Sequence, residues 1–183
     1  MINSRSLFLK KFFLAPAKIG SFTPSSQFLA KKMMERLPWK TLDTIVELGA
    51  GTGVFTEYIA AHKKPASRFL IIEQDARMRA DLEERFPGML FGGQAENLPY
   101  ILKKYGLPKV DCIISGLPFA VFTPELRQRI LTGSTAALQA GGRFIAFQYS
   151  LQMYFAFRRQ FTRVRLGFEL RNFPPAFVYY CQK

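Results

Sequence analysis

Five short apolar runs, each parted from the next by a stretch of helical period, constrain this chain more than any other feature. TIVELG (44–49), RFLIIE (68–73), GMLFGG (88–93), VDCIIS (110–115) and GRFIAFQYS (142–150) read as strands, and segments near 53–63, 76–86, 97–105 and 124–140 read as helices. Regular alternation leads to an α/β fold with a doubly wound, mainly parallel sheet, because each parallel pair needs a crossover and the helix supplies it. After Gln160 the pattern changes to two extended runs, RVRLGFEL and AFVYYCQK, separated by RNFPP. They predict an antiparallel hairpin closing the sheet. Ahead of the first strand, residues 4–14 and 25–37 read as helices, the second opened by Pro24 with Ser25 and Ser26 as cap candidates.

The length of 183 residues suits one domain, 1–183, and neither linker nor repeat interrupts it. No stretch approaches the roughly 18 uncharged apolar residues of a membrane span. The best N-terminal candidate, LFLKKFFLAPAKIG, is broken by Lys10 and Lys11, which also spoils a signal-peptide core, so a cytoplasmic location is expected. Cys112 and Cys181 both lie inside strand-like runs and read as buried free thiols; no metal site is expected. The single histidine, His62, falls at a helix end, where a solvated role is expected.

Charge is distributed unevenly. The formal net charge is +13, yet residues 41–142 hold eleven Lys and Arg against eleven acids. Residues 1–40 hold eight against one, and residues 143–183 seven against one. Both ends are basic and the middle is neutral, which points to an anionic partner, either an acidic membrane surface or nucleic acid. No dedicated protein partner is inferred.

The chemistry begins at VELGAGTGVFT (46–56), which joins the first strand to a helix. Gly49, Gly51 and Gly53 let the backbone turn tightly and approach a ligand whose polar groups meet the free amides of the helix N-terminus. The spacing is not the G-x-G-x-x-G of dinucleotide folds, since Val54 or Thr56 would stand at the third glycine. The pattern is E-x-G-x-G-x-G, opened by Glu47, and it resembles motif I of class I S-adenosylmethionine (AdoMet) methyltransferases. Glu73, closing the second strand, stands where a carboxylate accepts both ribose hydroxyls of a nucleoside; its plain reading is a strand-end charge. The third strand ends in GGQAEN, where that superfamily commonly has Gly-Asp-Ala. Gln94 replaces the aspartate that receives the adenine amino group, and the Ala95 amide would touch the ring.

After the fourth strand comes SGLPF (115–119). The region resembles the ribosomal-RNA adenine dimethyltransferases, whose loop reads Asn-Leu/Ile-Pro-Phe/Tyr and holds a flipped adenine. Ser115 stands at the asparagine-like position, with Gly116 added, and a hydroxyl with an exposed carbonyl suits a small amine better than a base edge. Phe119 would then offer its face to the amine's positive charge, or simply pack in the core.

KIGSFTPSSQFLAKKM (18–33), SGLPF, FQYS (147–150) and NFPPAFVYY (172–180) together resemble the soluble bacterial phospholipid N-methyltransferases over nearly the whole chain. The departures are Gln148 for the usual threonine, Phe119 where leucine is frequent, and Gln94. The resemblance implies a Rossmann-like class I methyltransferase fold with N-terminal basic helices (1–40) covering the site. It also implies methyl transfer from AdoMet to the phosphatidylethanolamine headgroup at the inner face of the cell membrane. Gly20, Ser25 and Ser26 would join Glu47, Gly49, Gly51, Gly53, Glu73, Gln94 and Ala95 around the cofactor. Tyr149, helped by Ser115 and the loop carbonyls, would orient the amine; otherwise it is a buried strand aromatic. An adenine N6-methyltransferase and a non-catalytic AdoMet-fold module binding membranes or RNA remain the alternatives.

At the N-terminus Phe8, Leu9, Phe12 and Phe13 share one helical face with Lys10 and Lys11 opposite, which suits an interfacial helix, although Leu7, Leu14 and Arg5 stray from the pattern. Ordinary core packing is the other reading.

Overall fold

The computed structural model describes residues 24–183. Gly20 and the predicted helix at 4–14 lie outside the described residues, and Ser25 and Ser26 fall in the first turn of the first helix, α1 (Pro24–Met34). The seven strands are β1 (Thr44–Leu48), β2 (Arg68–Ile72), β3 (Leu90–Gly92), β4 (Val110–Ser115), β5 (Leu138–Gln148), β6 (Arg163–Glu169) and β7 (Ala176–Gln182). They form one sheet in the order β3-β2-β1-β4-β5-β7-β6. Strands β1 to β5 pair parallel, and β7 runs antiparallel to both β5 and β6. The predicted parallel sheet and closing hairpin are both present.

Between the strands run α2 (Val54–His62), α3 (Ala76–Arg85), α4 (Leu98–Lys104), α5 (Pro124–Ala137) and α6 (Tyr154–Gln160). Alternation on the strands divides the core into two layers. Val46, Leu48, Leu70 and Ile113 pack on the side of α4, α5 and α6, against Leu98, Ile130 and Phe157. Ile45, Phe69, Ile114, Ile145 and Val178 pack on the side of α1, α2 and α3, against Met33, Ile59 and Leu82. With both faces covered, the central strands read as near-continuous apolar runs, which is why they stand out in the sequence.

Helix α1 ends at Met34 and not at 37, and two larger differences follow. Strand β5 begins at Leu138, inside the stretch predicted as helix, and α6 was not predicted. The run AALQA favours helix locally, but pairing of Leu138 with Val110 on β4 and the left-handed turn at Gly141 (φ 72°) commit it to the sheet. Cys112 and Cys181 are free and buried, and burial pushes the Cys112 thiol up to about 12. Among the described residues no helix is long and apolar enough to cross a membrane.

Candidate active site

Strand order reverses at β1, from which the chain winds first through β2 and β3 and then, restarting at β4, the other way. In such sheets the loops leaving neighbouring strands at this point part and leave a crevice. Three segments line it here: the glycine loop after β1, Glu73 after β2, and the 115–118 loop after β4. Backbone bonds tie them together, Gly49 N–H donating to Ile72 O at 2.8 Å and Gly116 N–H to Leu48 O at 2.8 Å.

Gly51 occupies the left-handed region (φ 56°), and a Cβ built there meets no protein atom within 4 Å. The glycine is therefore demanded by the backbone and leaves open space beside it. Its amide donates to Glu73 Oε2 at 2.8 Å, while Asp75 N–H donates to Glu73 Oε1 at 2.9 Å. These bonds fix the carboxylate plane, and each oxygen retains a lone pair for a further donor. Gly116, the residue inserted in SGLPF, answers a different need. A Cβ there would lie 2.7 Å from the carbonyl oxygen of Gly49, so only glycine lets the two loops come this close.

Glu47 faces the α2 side of β1 and is fully buried. Its Oε2 accepts from Thr56 Oγ1 at 2.7 Å, and Oε1 has no partner among the described residues. Burial pushes the carboxyl up to about 8, the Thr56 bond opposing and the nearby Glu73 charge adding to the rise. A buried carboxyl with one orphaned oxygen next to a glycine loop suits a ligand that brings positive charge or a hydrogen-bond donor.

Beyond Glu73 the crevice narrows to an apolar slot walled by Ile72, Leu117, Pro118, Phe122 and Ile130, with Gly93 and Ala95 at its floor. Its apolar lining suits a purine ring, and the Glu73 carboxylate beside it suits a ribose diol. These features together fit AdoMet, with the nucleoside in the slot and the cationic end towards Glu47. Gln94 does not line the slot: its side chain is exposed and its Oε1 accepts from Asn97 Nδ2 at 3.0 Å. Its amide oxygen, expected to receive the adenine amino group, is here engaged by Asn97, and of this turn only Gly93 and Ala95 line the slot.

Two acceptor assignments are also corrected. Phe119 is fully buried, with Phe122, Phe144 and Phe157 at ring-centroid distances of 6.0, 6.2 and 5.8 Å. The short turn Phe119–Val121 swings its ring beneath the sheet, so Phe119 is a core residue and its face is closed to an amine. Ser115 is likewise fully buried, and its hydroxyl accepts from Leu117 N–H at 3.2 Å. It shapes the loop, and with no exposed surface its hydroxyl is closed to an amine. Gln148 completes the clamp, its Nε2 donating to Leu117 O at 2.9 Å and its Oε1 accepting from Ala120 N–H at 3.3 Å. One lone pair of the Leu117 carbonyl is thereby engaged, which weakens the case for that group as an amine acceptor.

Tyr149 follows β5 at the same end of the sheet and is 40% exposed. Its ring meets Phe147 edge-on at 5.6 Å, and Phe147 meets Phe55 of α2 at 5.8 Å. Burial raises the phenol's pKa and a hydrogen bond with the Asn172 side chain pulls the other way. Asn172 is itself buried and donates from Nδ2 to Pro174 O at 2.6 Å, so the β6–β7 turn holds Tyr149 in place. Phe122, Ile130 and the Asn172 side chain are not singled out by the sequence, and of these only Asn172 carries a usable signal, its place in NFPPAFVYY.

No family model matches the chain. An ornithine lipid N-methyltransferase from Singulisphaera acidiphila is 35% identical over 181 residues, covering 96% of this chain and 94% of that protein. A ribosomal RNA small subunit methyltransferase A from Thermotoga neapolitana is 27% identical over 124 residues, 67% of this chain and 46% of its own. Among solved structures, the Burkholderia thailandensis 1,6-didemethyltoxoflavin-N1-methyltransferase, with its substrate and S-adenosylhomocysteine bound, superposes with a TM-score of 0.69 at 15% identity, covering 98% of this chain and 86% of that one. TrmN from Thermus thermophilus gives a TM-score of 0.62 at 20% identity over 96% of this chain and 53% of that one. At such identities these two structures speak for the fold alone. The near-complete 35% match does more: the chain belongs to the family of that ornithine lipid N-methyltransferase, within the class I AdoMet-dependent methyltransferases.

Proposed function

We propose that this protein transfers methyl groups from AdoMet to the primary amine of a membrane-lipid headgroup, with an ornithine lipid as the first acceptor and phosphatidylethanolamine as the second. The observation that carries the reading is the acceptor loop. Where adenine methyltransferases present an asparagine to a base edge, Ser115 is buried and bonded to Leu117, so its hydroxyl is withdrawn from any acceptor. A loop without that polar edge suits an amine carried on a lipid better than a base needing several donors and acceptors. Identity to the ornithine lipid enzyme over almost the whole chain favours the first acceptor, and the SGLPF and NFPPAFVYY likeness favours the second.

In this reading Glu73 accepts the ribose hydroxyls, the Gly93–Ala95 backbone meets the adenine edge, and Glu47 Oε1 faces the cationic end. AdoMet supplies a methyl already activated on a sulfonium. The protein's own work is then alignment and exclusion of water. The headgroup ammonium would first release a proton to solvent; Tyr149, steadied by Asn172, would then orient the neutral amine for in-line attack on the methyl, with S-adenosylhomocysteine as the leaving group.

Reaching a bilayer requires a surface that tolerates lipid. Leu151 and Phe155 after β5, and Leu170 and Phe173 in the β6–β7 turn, are 46%, 72%, 72% and 87% exposed. All follow strand ends on the crevice side, so we assign peripheral membrane contact to this rim, at the inner face of the cell membrane. The test is expression in bacteria that make phosphatidylethanolamine, with and without ornithine lipid, followed by mass spectrometry of the lipid extract. Added methyls on either lipid support the reading; unmodified lipids together with methylated adenine in ribosomal RNA would replace it with the adenine alternative.

A further inference from the structure

Helix α1 ends at Met34, and among the described residues none covers part of the β5–β7–β6 face, on the same side of the sheet as α2 but towards the strand ends remote from the crevice. The register puts Arg143 of β5 opposite Gln182 of β7, Gln182 opposite Arg163 of β6, and Arg165 opposite Tyr180. Strand alternation therefore points Arg143, Arg163 and Arg165 to one face. Arg36, just past α1, closes the fourth side, and its carbonyl accepts from Arg143 Nη1 at 3.2 Å. The four arginines surround an open cleft of about 310 Å³ with Tyr180 and Gln182 in its wall.

No carboxylate lines this cleft, and none of the four guanidiniums is in an ion pair among the described residues. Residues 1–26 contain no Asp or Glu, so the rest of the chain cannot supply one. Glu35 bears electrostatically on Tyr180 from the end of α1, and Glu169 from the far end of β6, without lining the cleft. Elsewhere the chain pairs its arginines readily, Arg85 with Glu57 and Asp81, and Arg171 with Glu169. Four like charges gathered on adjoining strands repel one another, and an anion of high charge density relieves that repulsion. Planar guanidinium forks carried on β5, β6 and the end of α1 match the oxygens of a phosphate group.

We propose that this cleft is a phosphate-binding site, separate from the methyl-transfer crevice and independent of the acceptor assigned to it. The same chemistry has two sources, the phosphodiester headgroup of an anionic lipid and a free phosphate. A nucleic-acid backbone fits less well, since it asks for a track of charges and this is one compact cluster.

The test compares the full chain with two charge-matched variants, Arg143→Gln with Arg163→Gln in the cleft, and Lys103→Gln with Arg129→Gln on α4 and α5. All four positions are exposed, so neither pair disturbs the core. In one arm, thermal unfolding is followed in inorganic phosphate against chloride at equal ionic strength. In the other, binding is measured to phosphatidylcholine vesicles with and without phosphatidylglycerol, by sedimentation, and to single-stranded RNA. The cleft pair should lose the phosphate-dependent rise in Tm that the other pair keeps. If it also loses on the order of tenfold in phosphatidylglycerol-dependent binding, the ligand is a lipid headgroup; if vesicle binding is unchanged, it is a soluble phosphate. Equal losses in both pairs, a loss seen only with single-stranded RNA, or aggregation of the cleft pair with its phosphate effect intact, would each overturn the proposal. The last result would mean that the arginines only guard the edge strand β6.

Discussion

The amide of Gly51 donates to Glu73 Oε2 across 2.8 Å, so the glycine loop after β1 and the carboxylate after β2 form one rigid unit. Glu73→Ala removes both the ribose acceptor and the brace on the loop. AdoMet binding measured by calorimetry should weaken by about 2–4 kcal/mol, the scale of two charge-assisted hydrogen bonds. Unchanged affinity would remove the nucleoside from this position.

Gly116→Val drives a Cβ into the Gly49 carbonyl at 2.7 Å, a backbone contact that no side-chain rotation can relieve. The variant should lose about 1–3 kcal/mol of stability in urea unfolding and bind AdoMet more weakly, because the glycine loop must move. Full stability with full affinity would show that the two loops are not held together as described.

Glu47 predicts a pH dependence with a definite sign. Burial holds its carboxyl up to about 8, so between the ordinary carboxylate range and that pH the native state keeps a proton that the unfolded chain has released. This group's contribution to stability therefore declines as pH rises through that window. A cationic ligand prefers the ionised form, so AdoMet affinity should climb by up to about tenfold per pH unit towards pH 8 and level off above it. Calorimetry over a pH series is the check, and Glu47→Gln should flatten the climb. A slope that survives the substitution belongs to another group.

Phe119 and Phe122 should separate. Phe119→Ala empties a ring site in the aromatic core and should cost about 3–5 kcal/mol of stability. Phe122→Ala, at the slot wall, should weaken AdoMet binding with a smaller effect on unfolding. The opposite pattern would return Phe119 to the site.

The parts legible from sequence are those fixed by local rules. Apolar runs such as TIVELG and VDCIIS announced strands buried on both faces, and E-x-G-x-G-x-G announced a backbone loop because positive φ is nearly a glycine property. Illegible parts depend on where a side chain turns after a strand ends. Within SGLPF the sequence leaves open whether Phe119 faces an amine or packs in the core, and one short helical turn sends it under β5; Gln94 stays out of the slot that its neighbours Gly93 and Ala95 line. Phe122 and Ile130 reach the slot from the turn and helix after β4, which no spacing in the sequence reveals. The arginine cleft exists only because β6 and β7 bring together residues that are distant in the chain.

Tyr149 is assigned to the amine and the glycine loop to AdoMet, so their variants should fail differently. Tyr149→Phe should lower methyl transfer on the order of 10- to 100-fold while leaving AdoMet affinity nearly intact, since orientation of the acceptor is lost and the slot is not. Equal loss of both would place Tyr149 in the cofactor site.

The most direct measurement is methyl transfer in a purified system. The full chain is incubated with methyl-labelled AdoMet and vesicles that carry ornithine lipid, phosphatidylethanolamine or neither, and the lipids are separated by thin-layer chromatography. Label should appear in N-methylated lipid only where an amine headgroup is present, and should vanish with Glu73→Ala. Label that stays out of every lipid while entering adenine in added RNA would contradict the account.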